Sequence, residues 1–448
     1  MAGEGCRSKL GDYFTLQRGT TYKSRLLGQP GPVLLGLATI QRNGGFRTDS
    51  LQTYGGDSPA KLLVQPGDLY LSLKDVTQSA DLLGAVARLP ISHSPGRLTQ
   101  DTVRLEPRGS DVPLNYLYWL LRTPQYRSYC RAHATGTTNL GLAREDFLAF
   151  PAPEPTPTQC QIVDALSALD DKIEQNRWMR ETLEAMARAL FKSWFVDFEP
   201  VRAKAEGRWR RGESLPGLPA HLWDLFPDSF EDSELGEIPK GWAVGTLGDL
   251  SALNPEVWTR ETRPTELNYV DLSNTKWGRI DAVIPYQAAA APSRAQRVLR
   301  PADTIIGTVR PGNGSYAFIN ENGLTGSTGF AVLRPRMETY AEFVYLAATA
   351  ADNIDTLAHL ADGAAYPAVR PEVVAATPII RSSYAVFNGF SRAASLLLKK
   401  ITQNERESRT LATLRDALLP KLISGELRLT DIAIDLVSVT ATHRTATT

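Results

Sequence analysis

Apolar residues follow two spacings along the chain. The first consists of short runs rich in apolar and β-branched residues, bounded by Pro, Gly and Asn turn signals, with a short apolar helix predicted after each group. The runs are 68–73 and 84–89, then 303–309 and 329–333; the helices are 114–122 and 341–350. This pattern predicts two globular α/β domains of about 150 residues each.

The second spacing is a heptad repeat in two long segments. Residues 156–195 contain no proline except Pro157, which a first helical turn tolerates. The heptad positions are Ile162, Leu166, Leu169, Ile173, Asn176, Arg180, Leu183, Ala187, Leu190 and Trp194, and then Phe390, Ala394, Leu397, Ile401, Asn404, Ser408, Leu411, Arg415 and Leu418. The spacing predicts two helices that pair with each other. Asn176 and Asn404 interrupt both stripes at equivalent points, where they either fix the register or are tolerated on a partly exposed edge.

The chain also repeats itself when it is shifted by roughly half its length. Leu10-Gly11-Asp12 recurs as Leu247-Gly248-Asp249, residues 103–108 match residues 331–336, and residues 172–176 match residues 400–404. Each match is weak, but all occur in the same order. We therefore interpret the chain as a tandem duplication of a domain followed by a helix.

Charge and hydropathy limit the classes of protein to which the chain can belong. The 448 residues carry 49 Lys plus Arg and 49 Asp plus Glu, so bulk charge gives no argument for a nucleic-acid partner. A basic segment at 202–211 precedes an acidic one at 224–237, and a solvated linker is the favoured interpretation of both. Because no apolar run approaches about 20 residues and residues 1–13 lack a secretory signal, we expect a cytoplasmic protein without a membrane partner.

Motifs for catalysis and cofactors are missing from the sequence. The three cysteines lie far apart, and the five histidines are isolated, so we expect no metal site. Residues 307–315 are rich in glycine but lack the Gly-Lys-Ser/Thr of a nucleotide loop, which favours a turn or a DNA-facing loop. Asp170 and Asp171 are interpreted as a solvated helix face. We therefore expect no cofactor and no catalytic residues.

Three motifs resemble one known family. Residues 190–207 are similar to the signature that closes the central helix of Type I restriction-modification specificity subunits. Residues 235–242 resemble the start of that family's second target recognition domain, and residues 419–427 resemble the end of its second helix. Two features depart from the family pattern: the first repeat has no Ile-Pro-x-Gly-Trp motif, and the tail beyond Thr430 has no assigned counterpart.

The resemblance implies an α/β (α+β) fold, a tandem duplication whose two long helices form an antiparallel coiled coil. It implies a non-catalytic subunit in which each domain reads one half of a bipartite double-stranded DNA target, while the helices set the spacing and bind two methyltransferase subunits. Restriction/translocase subunits would complete the complex. The expected divisions are target recognition domain 1 (1–155), central helix (156–198), linker (199–237), target recognition domain 2 (238–382), C-terminal helix (383–428) and tail (429–448).

Candidate DNA contacts are long polar or basic side chains on predicted loops, since such side chains read base edges. They are Lys74, Gln78, Asn139 and Arg144 in the first domain, and Lys276, Arg310, Asn313, Tyr366 and Arg370 in the second. The candidate helix-pairing residues are Leu169, Ile173, Asn176, Leu397, Ile401 and Asn404. Residues 137–139 and 364–366 differ between the repeats, so the two half-sites are expected to differ.

Two other classes of protein share some of these sequence features. An enzyme with recognition domains fused to its own methyltransferase needs a cofactor-binding glycine motif and an Asn-Pro-Pro-Tyr-like tetrad, and the sequence has neither. The interpretation of the chain as a coiled-coil scaffold without DNA sequence readout also stays open, because a net charge of zero gives no evidence for binding to DNA. Salt dependence separates the scaffold from a DNA-binding protein, since phosphate contacts release counterions.

Overall fold

An aspartate closes the first helical turn of each globular part. Asp12 accepts a hydrogen bond from the main-chain N–H of Lys9 at 2.8 Å, and Asp249 accepts one from that of Thr246 at 2.8 Å. Each carboxylate satisfies an amide at a helix start. The repeated Leu-Gly-Asp motif is therefore a local start signal for a helix.

The computed structural model places the chain in two compact units with mixed α/β content. It describes residues 9–48, 51–77, 79–137, 139–259, 261–363 and 366–423. Of the described residues, unit 1 takes in those within 9–174 and 409–423, and unit 2 takes in those within 175–408. Each unit thus combines a globular part with portions of both long helices.

The globular part of unit 1 contains nine short strands and four short helices among its described residues. They are α1 Leu10–Tyr13, β1 Phe14–Arg18, β2 Val33–Leu35, β3 Leu63–Val64, β4 Leu69–Ser72, β5 Lys74–Asp75, β6 Val86–Arg88, β7 Gly96–Leu98, β8 Thr102–Pro107, α2 Leu114–Leu120, α3 Pro124–Ala132, β9 Leu140–Gly141 and α4 Arg144–Ala149. An antiparallel sheet of order β1-β8-β4-β6 forms the centre, with Leu16 opposite Leu105 and Leu71 opposite Val103. Its inner face and helices α2–α4 share one apolar core.

Two long helices and a connecting segment follow. The first is α5 Pro157–Phe195, and the second, at the end of the described chain, is α11 Tyr384–Ile423. Helix α5 begins with a capping box: the N–H of Gln159 donates to Oγ1 of Thr156 at 3.2 Å, and Oε1 of Gln159 accepts from the N–H of Thr156 at 2.9 Å. The heptad pattern therefore predicted the extent of α5 to within one residue.

Unit 2 contains the remaining elements. They are α6 Glu199–Ala205, β10 Phe230–Ser233, β11 Gly236–Pro239, β12 Ala243–Thr246, α7 Leu247–Leu250, β13 Ser251–Leu253, β14 Glu266–Val270, β15 Thr275–Lys276, β16 Arg279–Ile280, β17 Ile284–Gln287, β18 Ala295–Leu299, β19 Thr304–Gly307, β20 Tyr316–Phe318, β21 Leu324–Ser327, β22 Phe330–Pro335, α8 Ala341–Ala348, α9 Ala351–His359, α10 Pro371–Ala375 and β23 Pro378–Arg381. The main antiparallel sheet has the order β13-β22-β19-β20, and a second sheet has the order β17-β14-β21-β18.

The same hydrogen bonds recur in the two globular parts. The N–H of Leu142 donates to the carbonyl of Leu73 at 3.0 Å, and the N–H of Val369 donates to that of Thr308 at 2.9 Å. Likewise Leu10 donates to Phe150 at 3.0 Å, as Leu247 does to Thr377 at 3.0 Å. The predicted short strands and both predicted apolar helices are confirmed as β4, β6, β19, β22, α2 and α8.

The segment 199–237 differs from the solvated linker that its charges suggested. Its apolar residues are buried in the core of unit 2, including Val201, Trp209, Leu222 and Phe226. Its charged residues pair with one another at the surface, as Arg208 does with Glu199 at 2.7 Å. Charge alone did not reveal that every few residues an apolar side chain turns inward.

Parts of the expected organisation lie beyond what the structure describes. The tail 429–448 and residues 424–427 of the motif 419–427 fall outside the described residues. Among the helices that are described, none is both long enough and apolar enough to cross a membrane.

Candidate functional site

The glycine-rich loop of unit 2 is held in a tight, fixed shape. After β19 the N–H of Thr308 donates to Gly329 at 2.8 Å, and a 3-10 turn forms over Pro311–Asn313. Arg310 adopts a left-handed backbone with φ of 48°, and its N–H donates to the carbonyl of Pro367 at 2.7 Å. This loop is therefore pinned to the segment before α10.

Four predicted DNA-contact residues lie at or beside this loop. The guanidinium carbon of Arg310 lies 4.8 Å from the ring centre of Tyr366, within the range of a cation–π contact. Tyr366 is 73% exposed, and Asn313 is exposed on the same 3-10 turn. Arg370 is exposed at the start of α10, next to Val369, which bonds to Thr308. The arrangement presents a cation, an amide and an aromatic ring to solvent.

Lys276 lies on the adjoining β15–β16 hairpin. Lys276 is exposed and pairs with Arg279 across the hairpin. The turn between them is Trp277-Gly278, and the N–H of Trp277 donates to the carbonyl of Gly314 at 2.7 Å. Sequence reasoning missed Trp277; the signal was an aromatic residue before glycine between two basic residues.

In unit 1 the predicted residues lie around the short β5–β9 ladder. Lys74 is exposed, lies opposite Gly141 and forms an ion pair with Asp101 at 3.1 Å. Asn139 is exposed just before β9. The predicted residue Gln78 lies outside the described residues.

Arg144 has a structural partner at the start of α4. Arg144 is an exposed residue, yet its guanidinium donates a hydrogen bond to the main-chain carbonyl of Leu16 at 2.8 Å. Some of the hydrogen-bond donors of Arg144 are therefore used within the domain.

A charged cluster in unit 1 corrects the interpretation of Asp170 as a solvated residue. Asp170 accepts hydrogen bonds from Arg122 at 2.6 Å and from Arg415 at 2.5 Å, whereas Asp171 is exposed. Burial by itself would raise the pKa of Asp170, but the two guanidinium groups outweigh it and hold that pKa below its ordinary value of 3.8. Because neighbours on a helix point about 100° apart, only one of the two aspartates faces the cluster.

Along α5 and α11, the residues at the heptad positions are buried or half-buried. Ile173, Asn176 and Asn404 are buried, and Leu169, Leu397 and Ile401 are half-buried. In unit 2 the side-chain amide of Asn176 donates to the carboxylate of Glu407 at 2.8 Å and, at 3.5 Å, to the main-chain carbonyl of Asn404. The two asparagines therefore meet through a main-chain acceptor rather than side chain to side chain.

Aromatic residues fill the contact between the same two helices nearer the end of α5. The ring centroids of Trp194 and Phe390 are 5.7 Å apart, and those of Phe195 and Phe387 are 5.8 Å apart and stacked. Such ring pairs contribute about 0.5–1.5 kcal/mol beyond their buried area. The motif at 190–207 thus builds a core as well as a helix end.

Comparison with known proteins points to one family. No family model matches the chain. The chain is 25% identical over 368 residues to the Type I restriction enzyme HindI specificity subunit of Haemophilus influenzae, covering 72% of this chain and 79% of the relative. It is 23% identical over 368 residues to the MjaIX specificity subunit of Methanocaldococcus jannaschii, covering 78% of this chain and 76% of the relative.

A solved structure shares the fold. The S subunit of a Type I restriction-modification system from M. genitalium matches with a TM-score of 0.55 and 15% identity, covering 94% of this chain and 97% of that one. This likeness includes the mixed α/β content and the long C-terminal helix. The resemblance predicted from the central motifs is thereby confirmed: the chain is a homologue of the specificity subunits of Type I restriction enzymes.

Proposed function

We propose that this chain is the non-catalytic subunit that selects the DNA sequence in a Type I restriction-modification complex. The observation that carries the proposal is the similarity to two specificity subunits over about three quarters of the chain. Fold alone does not determine function, so the loops and helices must supply the detail.

Each globular domain, residues 1–155 and 238–382, is proposed to read one half of a bipartite, asymmetric double-stranded target. The recurrence of sheet order and of the Leu142–Leu73 and Val369–Thr308 hydrogen bonds supports a tandem duplication. Two copies of one fold suit two half-sites, because protein symmetry mirrors site symmetry in DNA-binding dimers. The loops differ, so each copy would read its own sequence.

The reading residues proposed for unit 2 are those at the Arg310 loop. Arg310 is the foremost candidate, because a guanidinium can bond both acceptors of guanine in the major groove. Its contact with the Tyr366 ring limits the rotamers of a long side chain and so reduces the entropy lost on binding. Lys276, Asn313 and Arg370 are proposed as neighbours that contact bases or phosphates, and Lys74, Gln78, Asn139 and Arg144 are the corresponding candidates in unit 1.

The two long helices, within 156–198 and 383–428, are proposed to pair as an antiparallel coiled coil that sets the distance between half-sites. In unit 2 the partners of Asn176 and Trp194 are Glu407 and Phe390, so partner numbers fall as α5 advances. The burial of the heptad positions agrees with a paired seam. Two methyltransferase subunits are proposed to bind along these helices, and restriction/translocase subunits to join them.

An exchange of domains tests the proposal. The full chain would be used to select binding sites from a randomised double-stranded DNA library, with and without residues 10–155 replaced by the first domain of another specificity subunit. We expect one half-site to change and the other to stay, with affinity falling steeply as salt rises. A coiled-coil scaffold without readout would select no sequence and show no such salt dependence, and that result would refute the proposal.

A further inference from the structure

The β15–β16 hairpin holds a tryptophan in an unusual backbone conformation. Its two central residues, Trp277 and Gly278, have φ of 48° and 81°, as a type I′ turn requires. The first position of such a turn favours Asn, Asp or Gly, and a bulky residue there is strained. Trp277 is nevertheless 51% exposed, so burial of its ring does not account for the choice.

The ring of Trp277 lies directly on the loop that carries Arg310. A Cβ placed on Gly314 would come within 2.6 Å of ring atoms of Trp277, so the ring packs against the backbone there. The hydrogen bond from the N–H of Trp277 to the carbonyl of Gly314 reinforces this contact. Gly314 ends the 3-10 turn that begins after Arg310, so the ring braces the far end of that turn.

The opposite side of the hairpin is fixed to helix α5. The N–H of Gly278 donates to the carbonyl of Tyr316 at 3.0 Å, and the rings of Trp277 and Tyr316 meet edge to face at 6.0 Å. The hydroxyl of Tyr316 accepts a hydrogen bond from Arg188 of α5 at 3.3 Å. Glu184, one turn earlier, binds the same guanidinium at 2.8 Å. A continuous set of contacts thus leads from the helix through Tyr316 to the Trp277 ring and the loop.

We propose that Trp277 is a positioning residue that determines sequence specificity, holding the Arg310 loop where the guanidinium can read a base. This inference rests on the proposed function and identifies the residue that fixes the position of the reading loop in the second domain. Backbone strain retained at an exposed position is the kind of feature found where function requires a defined geometry. The ring would act through Arg310 rather than by its own contact with DNA.

Substitution by the residue that the turn prefers tests the proposal. Trp277→Asn should keep or raise the melting temperature, because asparagine tolerates the left-handed conformation. Binding sites selected by the full chain from a randomised duplex library should then lose roughly tenfold discrimination at one position or more of the second half-site. The first half-site should be unchanged, and Trp277→Phe, which keeps an aromatic ring on Gly314, should retain most of the discrimination.

A double-mutant cycle separates positioning from direct contact. Arg310→Asn is the second substitution, since asparagine fits the backbone of Arg310 but has a shorter side chain. If Trp277 acts through Arg310, Trp277→Asn should cause no further loss in the Arg310→Asn background. The inference would be overturned if Trp277→Asn caused equal losses of discrimination in both backgrounds. It would also be overturned if discrimination stayed unchanged, whether or not the melting temperature fell. Absence of any sequence preference in the unmodified chain would instead refute the proposed function itself.

Discussion

At the residue scale, the Arg122–Asp170–Arg415 cluster shows how a half-buried acid is kept ionised. One carboxylate lies between two largely buried guanidinium groups, and removal of the carboxylate would leave two like charges facing each other. Loss of one partner from a buried pair costs more than the pair contributes, because the remaining charge cannot be solvated. The cluster therefore links the segment just after α2 to both long helices within unit 1.

Asp170→Asn is expected to destabilise unit 1 by about 3 kcal/mol, reduced somewhat by the partial exposure of the aspartate. The measurement is the denaturant midpoint of the full chain followed by hydrogen exchange in α2. Asp171→Asn is the matched control, since its side chain lies at the surface, and we expect a change within about 0.5 kcal/mol. Equal effects of the two substitutions would show that the cluster contributes no stability.

The same cluster predicts a pH dependence. The folded-state pKa of Asp170 is depressed, so its contribution is present above the unfolded-state pKa of about 3.9 and is lost as pH falls through the folded-state value. The stability difference between the unmodified chain and Asp170→Asn should hold from neutral pH down to about pH 5 and then shrink below about pH 4. Midpoints measured at several pH values would show this; a difference that grows on acidification would contradict it.

Sequence reasoning at this scale succeeded where spacing decides the outcome and failed where tertiary contacts do. The burial of Ile173 follows from heptad spacing alone, whereas the spacing left open whether Asn176 and Asn404 lie on a partly exposed edge, and the structure buries both. The role of Asp170 depends on Arg122 and Arg415, which are distant in sequence, and no local pattern links them. Trp277 was missed for the same reason, since its partner Gly314 lies on another loop.

At the element scale, the long helices show what pattern predicts and what it leaves open. Proline at the first helical position and a heptad stripe predict α5 almost residue for residue, and the structure adds a Thr-x-x-Gln capping box at its start. The segment after it was misjudged because its charge runs concealed spaced apolar residues such as Trp209 and Phe226. A stripe also indicates that a position is buried, but not which hydrogen bonds form there.

Asn176 and Asn404, which occupy equivalent heptad positions in the two long helices, differ in the hydrogen bonds of their side chains, and this difference can be tested. The side-chain nitrogen of Asn404 is buried and has no hydrogen-bond partner among the described residues, whereas that of Asn176 donates to Glu407. An unsatisfied buried donor costs about 1–3 kcal/mol. Asn404→Leu should therefore raise the melting temperature of the full chain more than Asn176→Leu, which serves as its control at the equivalent repeat position. The reverse order would show that Asn404 is satisfied in solution.

At the scale of the whole molecule, the proposed function assigns one half of a divided DNA target to each globular part. Each unit contains one globular part, and both units draw on the same pair of helices. Loops on a rigid scaffold can diverge in sequence without changing the sheet that carries them, and the sequences of residues 137–139 and 364–366 differ. Collinear motifs in the sequence indicate the proposed duplication. The reading residues stay predictions, because nothing in a loop sequence specifies its three-dimensional neighbours.

The helices as a spacer give the last prediction. Helix α5 has 39 residues and is about 58 Å long at about 1.5 Å per residue. Four residues would be inserted after Glu174 and four after Ser408, which leaves the Asp170–Arg415 pair of unit 1 and the Asn176–Glu407 pair of unit 2 intact. A four-residue insertion is the stutter that heptad packing accommodates by local unwinding.

Each insertion lengthens its helix by about 6 Å and turns it by about 40°, and DNA rises about 3.4 Å per base pair. The preferred gap between the half-sites should therefore grow by one or two base pairs while the half-sites themselves stay the same. Binding sites would be selected from a library of spacer lengths. As a control, four residues would be inserted into one helix alone. This insertion shifts the heptad positions of one helix relative to the other, so it should weaken binding at every spacer length. An unchanged spacer in a folded double-insertion variant would mean that the distance between half-sites is set outside the helices.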